Sequence, residues 1–149
     1  MRAVVQRVSR AGVVVDGRPV GSIGRGLLVL VGIAPDDGPE QAIWLAEKVA
    51  QLRIFEDDEG KMNRSLLDVD GEALVVSQFT LYGDARKGRR PSFIRAAGGP
   101  EAEAIYERVI EAFGRLGVPC RGGRFGATMD VDLVNAGPVT ILLDSEKTF

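Results

Sequence analysis

Hydrophobic and polar positions along the chain alternate mostly with a period of two, and with a helical period in two stretches. Residues 3–15, with Val4, Val8, Val13 and Val15, predict two strands broken near Arg10–Gly12. Asp16-Gly17 is a two-residue hairpin signal, after which the chain returns through Val20 to Ile23. Leu27 to Ile33 is a continuous apolar run, the pattern of a central strand covered on both faces. Pro35-Asp36-Asp37-Gly38 reads as a turn, and Pro39 suits the first position of a helix, where its missing N–H would go unused. Ala42, Ile43, Ala46, Val49 and Ala50 carry that helix to about Leu52. A short strand over Leu52–Phe55 is ended by the acidic turn Glu56–Gly60, and Glu72–Phe79 is another strand. After a polar loop over 82–92, Gly98-Gly99-Pro100 opens a second helix with Ile105, Val109, Phe113 and Leu116 inward and Gly117 as terminator. A glycine-rich bend over 121–126 leads into a strand from Met129 to Val134. A last strand begins at Gly137-Pro138 and continues as Val139-Thr140-Ile141-Leu142-Leu143. Two helices against seven or eight strands predict a single α/β domain of layered mixed sheets over residues 1–149. Neither helix opens with a phosphate-binding glycine fingerprint, which argues against a nucleotide-cofactor fold.

Composition narrows the chemistry. The 149 residues include no histidine, which removes histidine triads, histidine metal ligands and a histidine general base. The single Cys120 leaves no internal disulfide and no cysteine-cluster zinc site, so the reducing cytosol is the expected compartment. Asp57, Asp58 and Glu59 read as a turn, and Asp130 and Asp132 as the outer face of a strand. No metal and no cofactor is therefore expected. Apolar runs fall well short of the ~20 residues of a membrane span, and polar residues interrupt Met1–Arg7 too early for a secretory signal. A net charge of −2 argues against a broad grip on nucleic acid while leaving room for a small contact with one nucleic-acid end.

Gly137 has no Cβ, and Pro138 has a fixed φ and no N–H, so the carbonyls of this pair can point at something other than a neighbouring strand. Ser77-Gln78-Phe79-Thr80 packs two hydroxyls, an amide and a ring into four residues. That suits either a holder of a planar polar ligand or a half-buried strand end. On a strand, Ser77 and Phe79 would face one way and Gln78 and Thr80 the other. Thr80 is a weak nucleophile without an adjacent base, and none is near in sequence. The loop Gly83–Arg95 holds five cations against the single acid Asp84, fit for a phosphate or merely solvated. Phe125 and Met129 flank a glycine bend and suit either core packing or an adenine slot. Arg7, on the first strand, is expected to fix something in place.

Five segments then stand in a telling order: Met1–Val8, Ser77–Asp84, Lys87–Phe93, Phe125–Met129 and Asn135–Thr140. Through them the chain resembles the D-aminoacyl-tRNA deacylases (the D-tyrosyl-tRNA deacylase family) over essentially its whole length. The resemblance implies that family's barrel-like α/β fold and a homodimer whose active sites lie at the subunit interface. It implies hydrolysis of the ester between a D-amino acid and the tRNA 3′ end, a proofreading step in translation that acts also on glycine mischarged on tRNA(Ala). On this basis Gly137 and Pro138 form a cis-peptide wall reaching into the partner's pocket, lined by Ser77, Gln78, Phe79 and Thr80. Phe125, Met129 and Asn135 contact substrate, and Arg7 orients the wall. Two other readings stand beside it: a non-catalytic binder of tRNA ends or DNA, and an editing domain acting on wrong L-amino acids.

Overall fold

A 14-residue strand, β1 (Arg2–Val15), is the spine of the main sheet. The computed structural model describes residues 1–149 throughout. Along one edge, β1 pairs antiparallel first with β3 (Gly26–Gly32), from Arg2 opposite Gly32 to Val8 opposite Gly26, and then with β2 (Arg18–Ile23). Its other edge is taken by β8 (Asp130–Asp144), also antiparallel. β6 (Glu72–Ser77) lies parallel to β3, and β7 (Cys120–Gly122) parallel to β6, giving the order β2-β1-β3-β6-β7 with β8 outside β1. The outer edge of β8 pairs with nothing in the chain. A small hairpin, β4 (Phe55–Glu56) with β5 (Met62–Arg64), stands apart.

The two ends of this strand path nearly meet. A Cβ on Gly21 of β2 would stand 2.6 Å from the Gly122 carbonyl of β7, a proximity that only glycine tolerates. The sheet is thus curled into an almost closed barrel. Val8, Val13, Leu28, Leu74 and Val76 fill its inside. Its outer face is covered by α1 (Pro39–Gln51) and α2 (Gly99–Arg115), which pack side by side over Val5, Leu27, Val29, Val31, Ala73 and Val75. Successive residues of β3 and β6 therefore enter different cores, which is why Leu27–Ile33 reads as continuously apolar. No helix is long and apolar enough to cross a membrane.

Several expected boundaries are corrected. β1 is continuous, its irregularity being a register shift against β8 around Gln6–Arg10 rather than a break at Arg10–Gly12. Met129–Val134 and Val139–Leu143 belong to one strand, with Gly137-Pro138 in its middle. The strand expected over Leu52–Phe55 is only Phe55–Glu56, and its partner across the acidic turn, Met62–Arg64, carries no hydrophobic alternation to reveal it. On α1 the buried side is Ala42, Leu45, Ala46, Val49 and Ala50, while Ile43 points outward and is 45 % exposed. On α2, Ile105 and Leu116 are half-buried, and Ala102, Tyr106, Val109, Ala112 and Phe113 form the inner stripe.

Gly26 stands directly opposite Glu72, where an added Cβ would fall 1.8 Å from the Glu72 carbonyl oxygen. Gly26→Ala is expected to lower the unfolding free energy in urea by at least the ~3 kcal/mol at the upper end of ordinary overpacking. Gly24→Ala meets only the flexible Glu72 carboxylate at 3.8 Å and should stay within about 0.5 kcal/mol.

Candidate active site

The last ladder bond of β6 runs from the Gln78 N–H to the Val31 carbonyl at 2.7 Å, and the strand ends there. The chain then closes one 3-10 turn, Phe79–Tyr82, so Ser77 to Thr80 do not alternate across a strand as expected. Tyr82 is buried under the turn, and Arg2 ties it down by stacking over that ring at 4.7 Å and donating to the Leu81 carbonyl at 3.1 Å. Above the end of β6 this leaves a cleft of about 560 Å³ bounded by Ser77, Gln78, Phe79, Phe93, Phe125 and Met129 and by the chain entering α2.

Aromatic rings and a thioether shape the cleft. Phe79, 51 % exposed, meets Phe93 edge-on at 5.2 Å between ring centres. Phe125 leans on Tyr106 at 5.8 Å, and the Tyr106 hydroxyl is anchored on the Val75 carbonyl at 2.8 Å. Met129 lies over Gly123, where any Cβ would come within 2.7 Å of its sulfur, so the glycine bend makes room for it. Phe125 and Met129 thus pack partly on the core and partly face the cleft. Thr80 sits at the rim, exposed, its hydroxyl accepting a hydrogen bond from the Gln78 amide. None of the residues bounding the cleft carries an ionisable side chain. Phe93, Tyr106 and Arg2 were not singled out by the sequence as contributors. Phe93 had a signal in its place after the cationic loop; Tyr106 and Arg2 act only through the folded packing.

The other group of candidate residues assembles elsewhere. Gln6 stands opposite Thr140 and Val8 opposite Asn135, so one residue of β1 faces four of β8 and the chain between them is looped out of the ladder. Gly137-Pro138, joined by a cis peptide, forms the corner of that bulge. Asn135 closes its base: its Oδ1 accepts from the Val139 N–H at 2.7 Å, and its Nδ2 donates to the Val139 carbonyl and the Thr140 hydroxyl at 3.2 and 3.1 Å. That amide is occupied within the bulge, which makes Asn135 a brace for the corner. Arg7, nearly buried, donates to the Ala136 carbonyl and to the Ile54 carbonyl, each at 2.7 Å. Gly137 has φ +150°, and a Cβ there would stand 2.8 Å from Val139 Cγ2 and 3.1 Å from an Arg7 nitrogen.

Within one chain the corner and the cleft do not meet. Arg7 stands opposite Leu27, which faces Ala73, whereas the cleft begins four residues further along β6 at Ser77. Three strand spacings across and four residues along amount to roughly 14 Å and 13 Å.

Arg7→Met keeps most of the buried stem while leaving the Ala136 and Ile54 carbonyls without their donor. It is expected to cost about 2 kcal/mol of stability in urea unfolding. Arg7→Lys, a point charge in place of a fork, should recover only part of that.

Comparison with known proteins agrees with this architecture. A family profile described as D-Tyr-tRNA(Tyr) deacylase matches residues 4–144. A "D-aminoacyl-tRNA deacylase" of Thermotoga petrophila is 59 % identical over 149 residues, covering the whole of both chains. One of Thermomicrobium roseum is 63 % identical over 147 residues, covering 99 % of this chain and 96 % of its own. Among solved structures, the "c-Myc DNA Unwinding Element Binding Protein" superposes with a TM-score of 0.91 at 42 % identity, over 97 % of this chain and 99 % of that one. A "probable eukaryotic D-amino acid tRNA deacylase" shares the fold, with a TM-score of 0.77 at 21 % identity over 95 % and 97 %. With the profile spanning all but a few terminal residues and relatives near 60 % identity end to end, the chain belongs to the D-Tyr-tRNA(Tyr) deacylase family.

Proposed function

We propose that this protein hydrolyses the ester of D-aminoacyl-tRNA, releasing free D-amino acid and tRNA. The observation that carries the reading is a cleft without an ionisable group, paired on the same chain with a backbone corner pinned by Arg7. An aminoacyl ester is already activated, so positioning, a bound water and oxyanion donors are enough for catalysis. The N–H groups of Phe79 and Thr80 open the 3-10 turn, have no acceptor inside it, and would face the ester carbonyl. The terminal adenine would lie against Phe125 and Met129, with the free ribose hydroxyl orienting the water in place of a side-chain base.

The corner would act in a second copy of the chain. Supporting this, Leu30, Val4 and Leu142 are cross-strand neighbours forming an apolar row on the sheet face away from the helices, and Leu142 is 58 % exposed. In such a homodimer, Gly137-Pro138 of one protomer would stand at the Cα of the ester held in its partner's cleft. D and L forms differ only by exchanging Hα and the side chain. A fixed stretch of main chain against Cα leaves room for hydrogen and clashes with any Cβ, whatever follows it. A hydrophobic fit, by contrast, discriminates only ~10–200-fold per methylene.

Purified protein given D- and L-tyrosyl-tRNA should release tyrosine from the D ester with a preference beyond the ~10²-fold that a fitted pocket supplies. Glycyl-tRNA, including glycine on tRNA(Ala), should also be cleaved, since glycine has no Cβ to exclude. Inertness toward it at high enzyme would count against exclusion as the device. Similarity to a protein whose name describes DNA binding favours a second reading, a non-catalytic nucleic-acid binder. Such a binder would protect the ester, so the same time course separates the two. Thr80 is exposed and engaged by the Gln78 amide, so Thr80→Ala should keep kcat within about tenfold. A loss of ~10³-fold or more would restore a covalent threonine mechanism.

A further inference from the structure

Beyond the cleft, the cationic loop is folded rather than merely solvated. Asp84 and Ser92 exchange backbone hydrogen bonds at 2.8 and 2.9 Å, closing residues 85–91 into the tip of a hairpin. Arg86 lies back on Asp84, donating to both of its carboxylate oxygens at 2.6 to 3.1 Å. Those hydrogen bonds hold the Asp84 carboxyl far below the usual carboxylate range. The loop's one acid is thus consumed by one of its cations. Lys87, Arg89 and Arg90 have no acid of the hairpin left to pair with.

Lys87 and Arg90, with Ser92 and the Asp84–Arg86 pair, line a separate, wholly polar hollow of about 520 Å³. It is joined to the cleft by one stretch of chain. Ser92 is a wall of the hollow, and its neighbour Phe93 is a wall of the cleft, edge-on to Phe79. Consecutive residues are only about 3.8 Å apart at Cα. A terminal nucleoside of tRNA carries its first phosphodiester on its 5′ carbon. This rim collects unpaired cations with an adjacent hydroxyl.

We propose that the Asp84–Ser92 hairpin is a phosphodiester-binding site in which Lys87, Arg90 and the Ser92 hydroxyl take the phosphate 5′ to the terminal nucleoside of the aminoacyl-tRNA. The inference rests on the deacylase reading of the cleft and adds a division of labour to it. The cleft handles the ester, and the hairpin tells a tRNA end from a free aminoacyl nucleoside. Arg86 serves as the hairpin's brace.

The test compares two D-tyrosyl esters, one on tRNA and one on adenosine alone, which has no phosphate. In the Lys87→Gln/Arg90→Gln double variant, KM for the tRNA ester should rise about tenfold or more with kcat little changed. Hydrolysis of the adenosine ester should stay within twofold of the unsubstituted protein. The slope of log(kcat/KM) against log salt for the tRNA ester should become shallower by about 0.7, the value for one single-strand phosphate contact. Lys87→Arg/Arg90→Lys, which keeps both charges, should behave as the parent protein. An unchanged KM and salt slope on tRNA would overturn the proposal, and so would an equal loss on both esters, which would make the hairpin a prop for the cleft. Failure of the deacylase reading shows separately, as no hydrolysis of either ester by the unsubstituted protein. In that event binding of a CCA trinucleotide still decides the matter, since only a phosphate-gripping hairpin loses affinity for it in the double variant.

Discussion

Arg7 sits where β8 leaves the ladder, and its guanidinium binds two main-chain carbonyls from segments distant in sequence. Side-chain alternation along a strand has a period of two, so a small register slip would send Val139, Ile141 and Leu143 from the helix-covered core to the opposite face. The bulge takes up the mismatch between the two halves of β8, and it needs something other than β1 backbone to satisfy Ala136. A fork with several donors on a rigid plane does this, with Asn135 closing the base from the opposite side. The corner at Gly137-Pro138 is therefore defined from both flanks, and the sheet on either side of it keeps its pairing.

The same economy governs the cleft. β6 ends where the chain past Gln78 closes into a 3-10 turn, and that turn is held by Arg2 and by the burial of Tyr82. What remains open is bounded by rings, a thioether, an amide and hydroxyl groups. Charge is kept out of this hollow and concentrated one residue beyond it, on the hairpin tip. An uncharged cleft and a cationic hairpin are thus separate surfaces joined by one stretch of chain.

Much of this was legible in the residues, for identifiable reasons. Leu27–Ile33 betrayed itself because both of its faces are buried, and Pro39 and Gly117 marked helix ends by backbone constraints that act locally. The continuity of β8 was hidden because a bulge built from Asn, Gly and Pro looks in sequence like the gap between two strands. Ile43 misled because an apolar residue adjacent to a buried stripe fits the same spacing. Most of the candidate site residues do come together, but in two groups, one at the end of β6 and one at the middle of β8. That division follows from strand order, which no local pattern encodes: β1 and β3 lie between β8 and β6.

The long strand β8 also leaves one side of its backbone without partners in the chain. Open edges of this kind template unwanted sheet growth, and natural proteins blunt them with charge and irregularity. β8 has both. Asp130 and Asp132 set carboxylates along its first turns of pleat, and the bulge interrupts the flat run that a stacking strand would require. The kink at the corner is thus also a guard against fibre-like addition, and straightening it would threaten solubility.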